Sequence, residues 1–241
     1  MQLAEMTGQD KSSVSRTLAT LADEGYVVRD HATRRYQPGW RLSALGARGM
    51  GDHQLIEAAS PVLPSLVNAV GETAHVSVLR GTQVLTLLSE QAPHAVATVG
   101  WVGRVIPAYC TSSGRALLLD HSLDGLMGRF AGVELVSRGP NTVTSLEALF
   151  DRIQLARVAG VAVVEEESEP GLVGIGAPLR DRAGQIVAAL NISGPQFRLG
   201  RTTEAAAEVR AAAEQICVAL NRLPGGVSTS GELVRTIGEI S

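Results

Sequence analysis

The sequence predicts an α+β protein in which a small N-terminal winged helix-turn-helix is joined by a linker helix to a larger domain. Three observations support this fold class. The 241 residues suffice for one large domain or for a small and a medium one. Residues 10–38 predict a helix followed by two short strands. Residues 53–223 predict hairpin-linked strands between helices at both ends, which favours α+β over a doubly wound parallel sheet.

The predicted segments follow from these patterns. Residues 1–40 form the winged helix-turn-helix, 41–52 the linker, 53–223 the larger domain and 224–241 a flexible tail. In the linker, Leu42 and Leu45 have helical spacing and are followed by three glycines, a pattern that predicts a short helix fraying into a hinge. An ordinary loop is the alternative.

The composition narrows the class of protein. Hydrophobic residues make up 45% of the chain, enough for a proper core, and no apolar run approaches the roughly 18 to 20 residues that span a bilayer. We expect a cytoplasmic protein without a membrane segment, in which Cys110 and Cys217 are free thiols. The net charge of −3 argues against a protein that coats nucleic acid, but residues 1–50 hold seven basic and five acidic residues. A basic N-terminal segment, called the head below (residues 1–50), on an otherwise acidic chain fits a small DNA-binding module.

The head carries the pattern of a DNA-binding helix. Asp10 can cap a helix whose Val14, Leu18 and Leu21 fall on one face. The other face carries small hydrogen-bonding side chains and two cations, which suit a helix that enters the major groove. The predicted DNA-binding residues there are Lys11, Ser12, Ser13, Ser15, Arg16 and Thr17.

Two strands around residues 26–38 predict the wing, with Tyr26, Val28 and Tyr36 facing inward. Arg34 and Arg35 lie near its tip and complete the predicted DNA-binding set. The alternative interpretation is an amphipathic helix and a hairpin with a solvated polar face.

The larger domain begins with a helix interrupted near Pro61 and Pro64. Strands at 75–80 and 83–91 form a hairpin turning at Gly81, and two extended runs flank Gly103. Further elements are predicted as helices at 112–121, 122–132, 145–160 and 202–223, and as strands at 160–167, 172–181 and 184–194.

Several segments carry a family resemblance. They are "LAEMTGQDKSSVSRTLATLADEGYVVRD", "IPAYCTSSGRALL" and "VAGVAVVEEESEPGLVGIGAPLRDRAGQIVAALNISGP". Together they resemble the IclR family of bacterial transcriptional regulators as far as about residue 223. The resemblance implies a winged helix-turn-helix, a linker helix and a GAF/PAS-like effector-binding domain. It also implies operator DNA and a small-molecule effector as partners, and a homodimer or dimer of dimers. By the family pattern a first helix would precede Leu3, so we expect the given chain to be an N-terminally shortened form.

The resemblance also points to an effector pocket under the helix start at Thr111 to Gly114. Backbone N–H groups there could hold a carboxylate, so Ser112, Ser113 and Gly114 are candidate contacts, with simple N-capping as the alternative. Family members that sense small oxo acids carry Asp and Cys at the positions of Val164 and Gly174, whereas Asn191 and Ser193 remain polar. We therefore expect a larger, partly apolar carboxylate or aromatic acid. The candidate apolar walls are Val99, Trp101, Val105 and Leu172.

The sequence predicts a ligand-responsive regulator of a metabolic operon, in the role of a repressor, and not an enzyme. No Cys/His spacing fits a zinc site and no cofactor is expected. Two rival functions remain: a ligand sensor that binds no DNA, and a small hydrolase that uses a "TSSG" serine or Cys110 with His94 or His121. Glu165 to Glu167 predict a solvated or internally hydrogen-bonded turn.

Overall fold

The computed structural model describes residues 8, 10–24, 26–29, 36–38, 50–92, 101–199 and 202–223. The chain divides into two compact units, residues 1–50 and 51–241. The predicted linker helix and tail fall largely outside the described residues, as do Arg34 and Arg35.

The N-terminal unit contains helix α1, Lys11–Asp23. The Asp10 carboxylate caps it by accepting bonds from the N–H groups of Ser12 and Ser13, both at 2.9 Å. The Ser12 hydroxyl also donates to this carboxylate, and these bonds together lower the pKa of Asp10. The predicted cap is confirmed. Along the predicted inner face, Val14 and Leu18 are half-buried and Leu21 is 36% exposed.

The wing consists of β1, Val27–Arg29, and β2, Tyr36–Pro38, paired antiparallel as predicted. The Arg29 guanidinium lies over the Tyr36 ring at 5.9 Å. The expectation that Val28 faces inward is wrong, since its side chain is 54% exposed. Successive strand residues point to opposite faces, so half-buried Val27 takes the inward position.

The larger unit contains the expected helices and strands, except that most of the extended run expected before Gly103 lies outside the described residues. Its helices are α2 (Met50–Ala59), α3 (Leu63–Val70), α4 (Ser112–Leu117), α5 (Leu123–Arg129), α6 (Leu146–Ala159) and α7 (Thr202–Leu220). Its strands are β3 (Thr73–Arg80), β4 (Gln83–Glu90), β5 (Val105–Pro107), β6 (Ala162–Glu165), β7 (Leu172–Arg180) and β8 (Ile186–Pro195). Helix α2 runs across the predicted limit between linker and larger domain at residues 52 and 53. None of the described helices is long and apolar enough to cross a membrane.

Local sequence signals explain where these elements end. Pro64 lies in the first turn of α3, where its missing N–H costs nothing, and Gly71 ends that helix at φ 73°. The hairpin between β3 and β4 turns at Gly81, with φ 61°. Ser145 caps α6 by accepting a bond from the Ala148 N–H at 3.1 Å.

The six strands form one antiparallel sheet in the order β5-β4-β3-β8-β7-β6. One face packs an apolar core against α2, α3 and α7, through residues such as Val76, Ile175 and Leu190. The other face packs against α4, α5 and α6 through a second apolar cluster that includes Val84, Ala162 and Ala189. The helices therefore cover both faces of the sheet. The GAF/PAS-like assignment stays a prediction.

A buried ion pair joins α4 to the loop after β6. Arg115 Nη2 donates to Glu167 Oε2 at 2.6 Å, and the two side chains are 2% and 5% exposed. Arg115 Nη1 also donates to the Val163 carbonyl at 3.2 Å. In the same loop Glu166 has a φ of 54° and its carboxylate accepts the Gly171 N–H at 2.8 Å. The predicted hydrogen-bonded turn is present, but Glu167 is buried and not solvated.

Substitution Glu167→Ala leaves the Arg115 guanidinium buried without its counter-charge. We expect the free energy of unfolding to fall by about 3 kcal/mol or more, the usual result of breaking a buried pair from one side. The exposed pair of Asp52 and Arg80, at 3.0 Å, provides the control, because Asp52→Asn removes an ion pair that water already screens. Urea unfolding of both variants measures the difference. Equal losses would contradict the structural importance of the buried pair.

Candidate functional site

The sheet face toward α4 carries a row of polar side chains on its central strands. His75 and Ser77 on β3 alternate with Val76 and Val78, which belong to the apolar core on the opposite face. In register, His75 pairs with Asn191 of β8. The polar residues of this row are His75, Ser77, Thr86, Asn191 and Ser193.

Helix α4 approaches β7 closely because two glycines face it. A Cβ at Gly174 would lie 2.7 Å from Ser112 Oγ, and one at Gly176 would lie 2.7 Å from the Ser112 carbonyl oxygen. Such distances are too short for any side chain, so the helix start rests on bare backbone. Thr111 is the N-cap, and its Oγ1 accepts the Gly114 N–H at 3.1 Å. N-capping, which was the alternative interpretation of this motif, is therefore present.

A cavity of about 230 Å³ lies between the start of α4 and the polar row. Its walls come from all six strands of the sheet, from the 3₁₀ turn Ala108–Cys110 and the start of α4, and from the segments around residues 101–104, 138 and 168–169. The lining residues are His75, Ser77, Thr86, Trp101, Arg104, Ile106, Pro107, Cys110, Thr111, Ser112, Ser113, Arg138, Val164, Ser168, Glu169, Leu172, Gly174, Asn191 and Ser193.

Most sequence-predicted effector residues lie in the wall of this one cavity. They are Trp101, Ser112, Ser113, Val164, Leu172, Gly174, Asn191 and Ser193. Their effector-binding role itself remains a prediction, and Val99 lies outside the described residues.

Two residues expected in the cavity wall lie elsewhere. A Cβ on Gly114 would be 2.1 Å from the Ala108 carbonyl oxygen, so Gly114 packs against the 3₁₀ turn Ala108–Cys110. Val105 is 50% exposed, because the next residue of its strand, Ile106, takes the inward position. The expectation that Gly114 and Val105 face the cavity is therefore wrong.

The structure adds lining residues that sequence reasoning missed. His75 and Ser77 had a signal, since two polar residues at i and i+2 in an apolar strand mark one face. Arg138 had none, because it comes from an irregular segment that only tertiary packing brings to the cavity.

The cavity mouth is positively charged. Arg104 and Arg138 are exposed there and outnumber the single lining carboxylate, Glu169. The Arg104 guanidinium lies over the Trp101 ring at 4.8 Å. Among the described residues the Arg138 side chain forms no ion pair within 4.0 Å. Two arginines with forked donors suit an anionic group such as a carboxylate.

The cavity floor is uncharged. Burial lowers the pKa of His75 to about 4, so its imidazole is neutral at pH 7. Its Nε2 lies 3.4 Å from Ser193 Oγ, and its ring centroid lies 5.3 Å from that of Trp101. The cavity lining next to Trp101 thus changes from an exposed cation, Arg104, to a buried and neutral side chain, His75.

Cys110 is not in a state to act as a nucleophile at neutral pH. Burial raises the pKa of the Cys110 thiol to about 11, so hardly any thiolate forms at pH 7. The Cys110 sulfur contacts the Pro107 carbonyl at 3.7 Å, and His121 contacts Arg129. His94 lies outside the described residues. Within the described ranges no group of three or more His, Cys, Asp or Glu could hold a metal ion.

The predicted DNA-binding residues of α1 are accessible. Lys11, Ser12, Ser15, Arg16 and Thr17 are exposed and Ser13 is half-buried. Thr17 and Thr20 donate to the carbonyls of Ser13 and Arg16, each at 3.1 Å, so their hydroxyls are already partly used within the helix.

Comparison with known proteins identifies the class to which this fold and cavity belong. The family model for the bacterial transcriptional regulator IclR C-terminal domain matches residues 48–218, and that for the IclR helix-turn-helix domain matches residues 1–31. The Pca regulon regulatory protein of Pseudomonas putida is 34% identical over 213 residues, 87% of this chain and 70% of that protein. The DNA-binding transcriptional repressor YiaJ of Escherichia coli is 29% identical over 84% of this chain and 73% of the relative.

A solved structure supports the same family assignment. An IclR homolog from Microbacterium hydrocarbonoxydans, in complex with 4-hydroxybenzoate, is 26% identical with a TM-score of 0.73, covering 90% of this chain and 88% of that one. The chain therefore belongs to the IclR family of bacterial transcriptional regulators. It is a DNA-binding regulator with an effector-binding domain, and not an enzyme.

The close contact of α4 with the 3₁₀ turn gives a direct test of the cavity's framework. Gly114→Ala places a methyl group 2.1 Å from a backbone oxygen, so one of the two backbones must move. We expect the melting temperature to fall by at least several degrees. Gly128→Ala, in α5 with nothing within 4 Å, is the matched control and should leave stability unchanged or slightly higher. Differential scanning calorimetry measures both, and an unchanged Gly114→Ala melting temperature would refute the contact.

Proposed function

We propose that this protein is a cytoplasmic, ligand-responsive repressor of a metabolic operon that binds operator DNA through its head and a small carboxylate in its cavity. The observation that carries the ligand proposal is the pair of arginines, Arg104 and Arg138, at the mouth of a cavity with an uncharged floor. The role of repressor is supported by the relative that is named as one.

The charge of the mouth favours a monocarboxylate. Arg138 is free of ion pairs among the described residues, so its guanidinium can bind a carboxylate in a forked, two-bond geometry. Arg104, whose guanidinium lies 4.8 Å from the centre of the Trp101 ring, adds a second positive charge. The floor offers no cation to balance a second negative charge, and burying one there would be costly.

The size and lining of the cavity favour an aromatic acid. A cavity of roughly 150 Å³ holds one benzene molecule, so about 230 Å³ accommodates a ring with small substituents. Trp101, Ile106, Val164 and Leu172 give apolar contacts for the faces of such a ring. The 4-hydroxybenzoate bound by the Microbacterium homolog supports the same ligand class.

The DNA-binding half of the proposal rests on α1 and the wing. In a homodimer or a dimer of dimers, two α1 helices would read successive major grooves of a near-palindromic operator. Effector binding changes DNA affinity only if the ligand prefers one arrangement of the heads over another. Arg16 and Lys11 on α1, with Arg34 and Arg35 in the wing, are the proposed cationic contacts.

Arg16→Ala tests the DNA-binding surface. We expect affinity for the promoter region of the protein's own gene to fall between about 5- and 150-fold, since one arginine contact to a base edge contributes about 1–3 kcal/mol. Arg152→Ala, an exposed arginine of α6, is the control for loss of charge alone. Fluorescence anisotropy at fixed salt measures both. If the two variants bind equally, α1 is not the DNA-binding helix; if wild type shows no salt-dependent DNA binding, the protein is a ligand sensor only.

Arg138→Ala tests the carboxylate site. We expect the affinity for 4-hydroxybenzoate and for benzoate to fall roughly 10- to 150-fold, because a hydrogen bond to a charged group contributes about 1.5–3 kcal/mol. Arg152→Ala again serves as the control and should bind both acids like wild type. Isothermal titration calorimetry measures the dissociation constants. An unchanged constant in Arg138→Ala would remove Arg138 from the anion site.

A further inference from the structure

The packing of the sheet does not require polar side chains on the cavity floor. At other positions on the same face the sheet carries Leu79, Ala162 and Ala189, which pack into the apolar cluster under α4 to α6. The polar residues are confined to the part of the face that borders the cavity. His75, Ser77 and Asn191 are 4%, 1% and 8% exposed.

These buried groups do not satisfy one another. The 3.4 Å contact between His75 Nε2 and Ser193 Oγ is long for a hydrogen bond. His75 Nδ1 is buried without a partner. Within the described part of the chain, Ser77, Thr86 and Asn191 show no side-chain hydrogen bond. A buried polar atom without a partner costs about 1–3 kcal/mol, so His75 Nδ1 does not add to the stability of the fold.

The surroundings of His75 define what could satisfy the row. The side chains that border the cavity next to it on β8 and β4 are amides and hydroxyls, without charge, and Trp101 stacks beside it at 5.3 Å. Arg104, a cation of the cavity lining, contacts the Trp101 ring at 4.8 Å. A neutral imidazole offers one donor and one acceptor, and a serine hydroxyl offers both. A hydroxyl is the ligand group that can donate to one and accept from the other.

We infer that His75 and Ser193 form a subsite for an uncharged hydroxyl at the end of the ligand opposite its carboxylate. The cavity then selects a hydroxyl-bearing monocarboxylate over the unsubstituted acid and over a dicarboxylate. This inference rests on the proposed function, in which the mouth arginines hold the carboxylate.

The geometry also sets the shape of the ligand. Arg104 and His75 both lie next to Trp101 in the cavity lining, at 4.8 Å and 5.3 Å from its ring. A ligand that extends from Arg104 to His75 would pass the Trp101 ring between these two polar ends of the cavity. A rigid acid with its hydroxyl across the ring from the carboxylate meets both ends at once.

The test compares three acids that differ only in the group opposite the carboxylate: 4-hydroxybenzoate, benzoate and terephthalate. By isothermal titration calorimetry of the full chain at pH 7.5, we expect 4-hydroxybenzoate to bind at least about tenfold tighter than benzoate, because benzoate leaves His75 and Ser193 unpaired. Terephthalate should bind more weakly than benzoate, since its second carboxylate enters an uncharged floor.

Variants assign the preference to the two residues. In His75→Phe and in Ser193→Ala the advantage of 4-hydroxybenzoate over benzoate should fall to about threefold or less, through loss of 4-hydroxybenzoate affinity alone. His75→Gln keeps a donor and an acceptor and should recover part of the preference. Retained benzoate binding and unchanged operator binding show that each variant is folded.

The outcomes separate the two proposals. Equal binding of 4-hydroxybenzoate and benzoate by wild type, an unchanged ratio in both His75→Phe and Ser193→Ala, or tight terephthalate binding would overturn the hydroxyl subsite and leave the carboxylate proposal standing. Binding of none of the three acids would overturn the aromatic-acid proposal and the subsite with it.

Discussion

The effector-binding domain depends on the close contact between the start of α4 and the bare backbone of β7. Gly174 and Gly176 remove the side chains that would otherwise hold the helix away from the sheet, and Ser112 occupies the space. Two residues further along, Gly114 lets the helix contact Ala108 in the same way. The helix is therefore fixed on both sides, and the cavity is the space left between its first residues and the polar strands.

The same contact organises the charges around the cavity. Once α4 is against β7, Arg115 reaches Glu167, and the buried pair holds the loop after β6. Thr142 ties a second segment to that loop, because its hydroxyl donates to the Glu167 carbonyl at 2.5 Å and accepts the N–H of Arg138 at 2.9 Å. The backbone of Arg138, one of the two arginines at the cavity mouth, is thus anchored to the loop that carries Glu167.

The two ends of the cavity differ in their dielectric surroundings, and the proposed ligand selectivity rests on that difference. At the mouth, Arg104 and Arg138 keep their charges in contact with solvent. At the floor, burial removes the charge of His75 and leaves hydrogen-bonding groups only. Val164 places an apolar side chain at the position where the family's oxo-acid sensors carry Asp. Gly174, at the position of their Cys, adds no room to the cavity, because Ser112 fills the space that a side chain there would need. In the proposed function, the side chains at the two ends, and not the fold, separate one ligand class from another.

The sequence by itself determined the elements and the family. Alternation in β3 and β8, the Asp10 cap and the hairpin at Gly81 are local patterns, so they are legible in the chain. The motif around Thr111 and the residues Val164, Asn191 and Ser193 also indicated one cavity wall. Only the tertiary structure decided that Arg138 and His75 face the same space and that Gly114 and Val105 do not. Those facts depend on contacts between residues far apart in sequence and on which way each strand turns its side chains, and no local pattern carries that information.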